Sequence, residues 1–515
     1  MGQRAIGQMP SVQFYKDLTK AKTMISMPDS NLREKINISI SLEDCGDYEY
    51  QFKVFDITTQ PPKLLDSSEV VKADYNKVVV FQKSFIMEYF FEKDQQILVS
   101  VFKNSLGGDS TKLDFKSSVG SIVGSRNNTL IKKIDNNNPE TIKISAIELK
   151  DNMEYLNIDF QIQSNIPLNW DESKNYFYYI VSGKTQLYKS ETVAKNGKLN
   201  PSRIPISLLR PEFSITIYDC HQKAVAHCRT TIEEFTKQGG QYSTISVPLS
   251  KHRTLTLTNK SAVRKSYTFI DYLKNGVQLG LVIAIDFTGS NGTPTEQGSL
   301  HAIQPGMMND YERAIMSCGN IVAYYDYDQL FPVFGFGAVL PGESSANMCF
   351  PINSMDNPEI YTINGVLEEY HKKVMNVSFS GPTYFAPILR RTIDMIKASQ
   401  DSLKYQILMI LTDGIINDMT QTIDLLVEGA KLPLSVIIIG IGNANFDNME
   451  ILDADDNPLV SSSGEKCIRD LVQFVPFSKF EHNQQRLAEE VLEEIPTQIL
   501  EYYTKNNMYP ETLKH

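Results

Sequence analysis

Leu281 to Gly292 reads LVIAIDFTGSNG, an apolar run that ends in Asp286 and opens into a loop carrying Thr288 and Ser290. An unbroken apolar run of this length suits a strand buried on both faces, as in a parallel sheet covered by helices. The carboxylate and two hydroxyls fall just past the strand's carboxyl end, where open α/β sheets bind ligands.

The pattern continues outward. Val333–Gly337, Ile407–Thr412, Val436–Gly442 and Leu471–Val475 read as further strands. Between them Tyr311–Tyr325, Thr362–Val377, Phe385–Ala398 and Thr420–Leu432 repeat apolar residues at i, i+3, i+4 and i+7. This alternation predicts a doubly wound, Rossmann-like α/β domain over residues 262–508. Gln484–Asn507 is predicted helical, with Pro496 kinking or dividing it. One strand ends in Leu411-Thr412-Asp413-Gly414, and a loop before a helix reads Ser380-Gly381-Pro382-Thr383. Two Asp and three hydroxyl side chains are thus expected on solvent-facing loops at one sheet edge. Singly, each residue is as well suited to capping a turn or helix. Together, an oxygen-only donor set suits a hard divalent cation, Mg²⁺ or Mn²⁺.

The first half changes period. Ile36–Ile40, Tyr50–Phe55, Val78–Phe81, Ile97–Phe102 and Ile122-Val123 read as short strands, most with apolar residues at every second position. Ile142–Ser145, Leu156–Phe160, Tyr176–Val181, Ile204–Leu208, Phe213–Tyr218 and Ile245–Val247 repeat the theme. Two all-β sandwiches are predicted, over 31–138 and 139–255 after an N-terminal segment 1–30, with the turn-forming run Asp135–Pro139 as their boundary.

Composition narrows the function classes. Across 515 residues, 61 Asp and Glu outnumber 50 Lys and Arg for a net charge of −11, which argues against nucleic acid as the main partner. The 42% apolar and 22% charged content is that of a folded chain. Six scattered cysteines are too few for a disulfide framework and suit a reducing compartment. The longest apolar stretch, Leu432–Gly442, is about half of the ~20 residues a membrane-spanning helix needs. Gly2 is followed by Ile6 where a myristoylation signal wants Ser or Thr. Three local patterns fall short: Cys220-His221 with His227-Cys228 is too closely spaced for a closed zinc site, Pro458 and Gly464 break an EF-hand reading of Asp453–Pro458, and Gly440-Ile441-Gly442 lacks the third glycine of a dinucleotide fingerprint.

Ser266–Tyr272, Asp286–Gly292 (DFTGSNG), Leu330–Gly337 (LFPVFGFG), Gly381–Pro387 (GPTYFAP), Phe474–Phe477 and Glu494–Gln498 (EIPTQ) resemble the copine family over nearly the whole chain from about residue 31. The resemblance implies two C2 domains followed by a von Willebrand factor A-like domain. It implies that Asp286, Thr288, Ser290, Thr383 and Asp413 match the metal-ion-dependent adhesion site that holds Mg²⁺. It further implies a non-enzymatic adaptor, cytoplasmic and peripheral to the plasma membrane or endomembranes. Such a protein binds anionic phospholipid under calcium control and recruits client proteins, with no nucleic acid and no small-molecule substrate. The rival readings are a calcium-independent cytosolic scaffold and a metal-dependent hydrolase; the second lacks an obvious general base, because no histidine lies in the three loops.

The expected calcium loops depart from the family pattern. In the first sandwich Asp44 and Asp47 remain, but Lys103-Asn104-Ser105 stands where D-x-D is expected, and a lysine repels the ion. In the second, Asp171 and Asp219 remain, while Asn175 and Asp219-Cys220-His221 depart. Fewer carboxylates mean weaker calcium binding. Lys103 is instead expected either to touch anionic headgroups or to be simply solvated.

Overall fold

The computed structural model describes residues 34–513 apart from 59, 106–109, 150–153, 164–175, 183–184, 191–201, 220–223, 241, 251–252, 297, 400–402, 455–457 and 481–482. Residues 150–266 belong to one compact unit, and 33–149 with 267–515 form the other.

In the larger unit, period-2 alternation builds a sandwich. Ile36, Ile38, Ile40 and Leu42 of Glu34–Glu43 point inward and are buried, as are Phe52 and Val54 of Glu49–Asp56 and Val99 and Val101 of Gln96–Asn104. One sheet runs Val79–Tyr89, Glu34–Glu43, Thr141–Leu149, Thr129–Lys133, and the other Lys63–Ser67, Glu49–Asp56, Gln96–Asn104, Ser110–Ser118. The expected boundary at 138/139 is therefore displaced. Thr141–Leu149 lies antiparallel to Glu34–Glu43, pairing Lys35 with Leu149 and Glu43 with Thr141, and closes the first sandwich. Asp135–Pro139 belongs to the connection between two adjacent strands of one sheet, not to a linker. Ile122-Val123, expected in a strand, falls in the helical turn Val119–Gly124, whose start is capped by Ser118 accepting from the Ser121 amide at 2.9 Å.

The α/β part of the same unit has the strand order Phe350–Pro351, Leu330–Phe336, Gln278–Asp286, Lys404–Thr412, Leu434–Gly440, Val472–Pro476. The four pairings from Leu330–Phe336 to Val472–Pro476 are parallel, and two short strands, Phe350–Pro351 and Glu359–Tyr361, run antiparallel to the Leu330–Phe336 edge. Alternate residues of Gln278–Asp286 feed separate cores: Leu281, Ile283 and Ile285 one, Val282 and Ala284 the other. Helices on both faces explain why this strand carries no polar side chain between Leu279 and Ile285. Pro496 sits in the first turn of Ile495–Lys505, after Gln484–Leu492, so the C-terminal segment is two helices.

Sandwich and α/β part meet along a buried seam. The Tyr89 and Tyr325 hydroxyls are 2.5 Å apart, and Phe91 packs edge-on to Phe269 and against Tyr325. Tyr324 donates to Asp94 at 2.9 Å. A Cβ on Gly124 would lie 2.2 Å from the Tyr324 carbonyl oxygen, so only glycine allows this approach.

Among the described residues, the smaller unit contains three sheets. These run Ser202–Pro205, Glu154–Ile158, Ala262–Lys265; Phe160–Gln163, Arg253–Asn259, Thr244–Ser250; and Thr185–Lys189, Tyr176–Ser182, Phe213–Asp219, Ala224–Thr230. Leu156, Ile158, Phe160, Tyr178, Ile215 and Phe235 are in their shared core. Ala262–Lys265 pairs with Glu154–Asn157, so these residues close the second sandwich instead of opening the α/β domain.

Candidate functional site

Asp286 is the last residue of Gln278–Asp286, and Thr412 and Asp413 end and follow the neighbouring parallel strand, which brings the two aspartates to one sheet edge. The Thr288 amide donates to Asp286 Oδ1 at 2.7 Å, and Thr412 Oγ1 donates to Oδ2 at 2.5 Å. Thr288 Oγ1 lies 3.1 Å from Ser290 Oγ, and Ser290 Oγ donates to Asp413 Oδ1 at 2.8 Å. The third loop is tied in by the Gly289 amide donating to the Ser380 carbonyl at 2.6 Å. A Cβ on Gly414 would meet Thr383 Oγ1 at 2.7 Å, which places that hydroxyl against the Asp413-Gly414 turn. The Thr383 amide in turn donates to Asn417 Oδ1 at 2.9 Å. The three loops therefore converge.

Three points differ from expectation. Asp286 is wholly buried and Asp413 is 6% exposed, so the aspartates do not stand on solvent-facing loops. Asn291 is part of the network: its amide donates to Asp413 Oδ1 at 2.8 Å, and its carbonyl accepts from the Tyr311 hydroxyl at 2.6 Å. A histidine also touches the site from beneath. His301 Nε2 donates to the Asp286 backbone carbonyl at 2.8 Å, and Nδ1 accepts from Tyr370 at 2.7 Å. Its ring stacks on Tyr311 with 4.0 Å between centroids, and burial pulls its pKa down to about 3. Both ring nitrogens are thus engaged in a neutral imidazole, which is a support for the strand end. Asn291 was visible inside DFTGSNG; His301 carried no local signal.

Burial pushes the Asp286 carboxyl up to about 7, with the nearby Asp413 charge adding to it, and burial also raises Asp413. The hydrogen bonds reaching them come from an amide N–H, hydroxyls and a carboxamide, all neutral. Buried carboxylates without a cationic partner, ringed by hydroxyl oxygens, fit a hard divalent ion. Among the described residues, no cluster of three or more His, Cys, Asp and Glu that could hold a metal is present.

At the loop end of the first sandwich, Lys103 is neither solvated nor free for a headgroup. Its Nζ lies 2.5 Å from Glu140 Oε1, with the glutamate side chain fully buried, and 4.3 Å from the Tyr48 ring centre. Tyr50 donates to the same Glu140 oxygen at 3.1 Å and accepts from the Gly46 amide at 2.9 Å. An internal ammonium sits at the strand end where D-x-D was expected. Asp44, in the left-handed region at φ 59°, accepts from Thr141 at 3.3 Å, and exposed Asp47 faces Lys72 at 3.8 Å. In the second sandwich, Asp219 ends Phe213–Asp219 opposite Tyr176. Asp171, Asn175 and Cys220-His221 lie outside the described residues; His227 Nδ1 lies 2.8 Å from Thr216 Oγ1.

Several solved structures are similar in part. The calcium-bound tandem C2 domains of Extended-Synaptotagmin 2 are 11% identical, covering 45% of this chain and 97% of that one at a TM-score of 0.18. Manganese-loaded TRAP protein of Plasmodium vivax is 15% identical over 40% of this chain and 70% of that one, TM-score 0.25. Proximal thread matrix protein 1 from the mussel byssus, with a zinc-occupied MIDAS motif, is 16% identical over 42% and 47%, TM-score 0.26. The family model described as Copine matches residues 299–511, a span that begins after the Asp286–Gly292 loop and includes Thr383 and Asp413, and the chain therefore carries a copine domain.

Proposed function

We propose that this protein is a non-catalytic adaptor whose α/β domain captures partner proteins through a divalent cation. Asp286, Thr288, Ser290, Thr383 and Asp413 would hold Mg²⁺ or Mn²⁺, which supplies a Lewis-acidic position for a carboxylate of the partner. The single observation that carries this reading is the buried Asp286–Asp413 pair with only neutral donors around it. The chain's own groups hold the carboxylates in place through Thr412, Asn291 and the Thr288 amide, while neutral His301 fixes the strand end. With both of its nitrogens occupied, His301 offers no general base, which supports capture over hydrolysis.

The sandwiches are proposed to dock on anionic phospholipid, placing the protein at the cytoplasmic face of membranes. Any calcium response is assigned to the second sandwich through Asp171 and Asp219, not to Asp44 and Asp47, because the first sandwich's loop end already contains the Lys103 ammonium. The test is calorimetric titration of Mn²⁺ into the full chain and its Asp286→Ala and Asp413→Ala variants, with liposome co-sedimentation with and without calcium. Wild type should bind Mn²⁺ and both variants should not. Unchanged metal affinity in the variants removes the site.

A further inference from the structure

The two aspartates of the cation site are held by the sheet, because the strands that carry them run side by side in parallel register. Thr383 has no such support. It lies in the loop between the bridge that joins Ser380 to Thr288 and the helix Ala386–Ser399. What fixes this loop is the segment that follows Asp413. Asn417 pairs with Thr383 in both directions, its amide donating to the Thr383 carbonyl at 2.9 Å and its Oδ1 accepting from the Thr383 amide at 2.9 Å. Next to it, Asp418 Oδ1 accepts from the Phe385 amide at 3.0 Å, and Oδ2 accepts from the Ala386 amide at 2.8 Å. Asp418 is buried, and Thr422 Oγ1 also donates to its Oδ1 at 3.2 Å.

This carboxylate is spent in an unexpected direction. Asp418 immediately precedes the helix Met419–Gly429, where an Asp ordinarily turns back to accept from its own helix's second or third amide. It makes no such bond, and both oxygens reach across to the amides at which the neighbouring helix begins. Those amides have no partner within their own helix, and the helix dipole there favours a negative charge. A residue placed to cap locally therefore clamps two loops together. The clamp matters because the tolerance is small: a Cβ on Gly414 would sit 2.7 Å from Thr383 Oγ1, so that hydroxyl rests directly on the turn after Asp413. A displacement of the Thr383 loop by about 1 Å would exceed what a preorganised ligand set allows.

We propose that Asp418 is a positioning residue of the cation site, which makes Thr383 Oγ1 available to the metal by holding the Thr383 loop on the Asp413 loop. The role rests on the proposed cation site. Asp418 does not touch the ion; it acts through Thr383, with Asn417 as its partner in the clamp.

The test is calorimetric titration of Mn²⁺ into the full chain and its variants. Thr383→Ser keeps the hydroxyl, whereas Thr383→Val removes it at nearly the same volume. Asp418→Ala should weaken Mn²⁺ binding roughly tenfold in wild type and in the Thr383→Ser background, as loss of a group that orients a metal ligand does. In the Thr383→Val background it should change the affinity by less than about twofold, since no hydroxyl remains to be placed. A loss of the same size in all three backgrounds would mean that Asp418 supports the fold at large and overturns the proposal, as does unchanged Mn²⁺ affinity in Asp418→Ala. Should Asp418→Ala fail to fold, judged by hydrogen exchange on Leu434–Gly440, Asn417→Ala replaces it in the same three backgrounds and is read in the same way. Wild type that binds no Mn²⁺ removes the cation site and this role with it; wild type that binds, with three equal losses, removes the role alone.

Discussion

Replacing Lys103 with Met should destabilise the first sandwich far more than the loss of a surface ion pair would. Lys103 Nζ and Glu140 Oε1 are 2.5 Å apart, with side chains 15% and 0% exposed. At an effective dielectric of about 20 the gross attraction is about 7 kcal/mol, and withdrawing the glutamate from water offsets several kcal/mol of it. The net value of the pair is therefore small, whereas an unpartnered Glu140 carries the whole desolvation cost. Lys103→Met alone should cost about 3–5 kcal/mol. Lys103→Met with Glu140→Gln removes both charges and should recover most of that loss, leaving mainly the Tyr50 hydrogen bond to be remade. Because the chain has several domains, the readout is hydrogen exchange on Gln96–Asn104 and Thr141–Leu149, not one global midpoint. Equal protection loss in the single and double variants would refute the reasoning, since it would mean that the lysine acts by packing and not by charge.

Three further outcomes are expected. Asn291→Ala, which frees Asp413 and the Tyr311 hydroxyl, should weaken Mn²⁺ binding roughly tenfold by calorimetry, as removal of groups that orient metal ligands does. Burial raises the Asp326 carboxyl to about 7, above its unfolded value near 3.9, so its folded form holds a proton the unfolded form releases. Its contribution is present at low pH and is lost as pH rises from about 4 to 7; Asp326→Asn should flatten that decline and slow hydrogen exchange on the adjoining strand Leu330–Phe336 at pH 8. Gly124→Ala places a methyl 2.2 Å from the Tyr324 carbonyl and should loosen the seam, at about 1–3 kcal/mol, with faster exchange at Val119–Gly124 and around Tyr324.

The fold was legible where one residue's environment repeats along an element. Leu279–Ile285 carries no polar side chain because both faces of its strand are covered, and Glu34–Glu43 alternates because one face is. The loops at Asp286, Thr383 and Asp413 were legible because strand ends in a parallel sheet fall at a common edge. Pairing was not legible. Thr141–Leu149 has the same alternation whichever sandwich takes it, and only the hydrogen-bond register with Glu34–Glu43 decides. The seam was hidden for a related reason: Gly120, Gly124 and Phe91 look like ordinary turn and core residues until Tyr324 and Tyr325 arrive from two hundred or more positions away. Lys103 looks like a free cation in the sequence because its partner, Glu140, lies in another part of the chain.

Glu140 and Asp286 pose the same physical problem, a carboxylate with no exposed surface, and the chain answers it in two ways. At Glu140 the countercharge is covalently part of the chain: Lys103 supplies the ammonium and Tyr50 a hydroxyl, both to Oε1. At Asp286 the chain supplies only neutral donors, and a second carboxylate, Asp413, is added instead of a cation. In a site of the first kind the resident lysine repels a divalent ion. A site of the second kind gains by admitting one, because the ion removes the repulsion between two aspartates that burial has already made hard to ionise. The difference turns on a single side chain in each place, so introducing a lysine at Asn291, beside Asp413, should convert the second kind into the first. Asn291→Lys is expected to abolish the Mn²⁺ response while keeping the strand end ordered, as judged by hydrogen exchange on Gln278–Asp286; Mn²⁺ binding that persists in this variant would show that countercharge is not what separates the two sites.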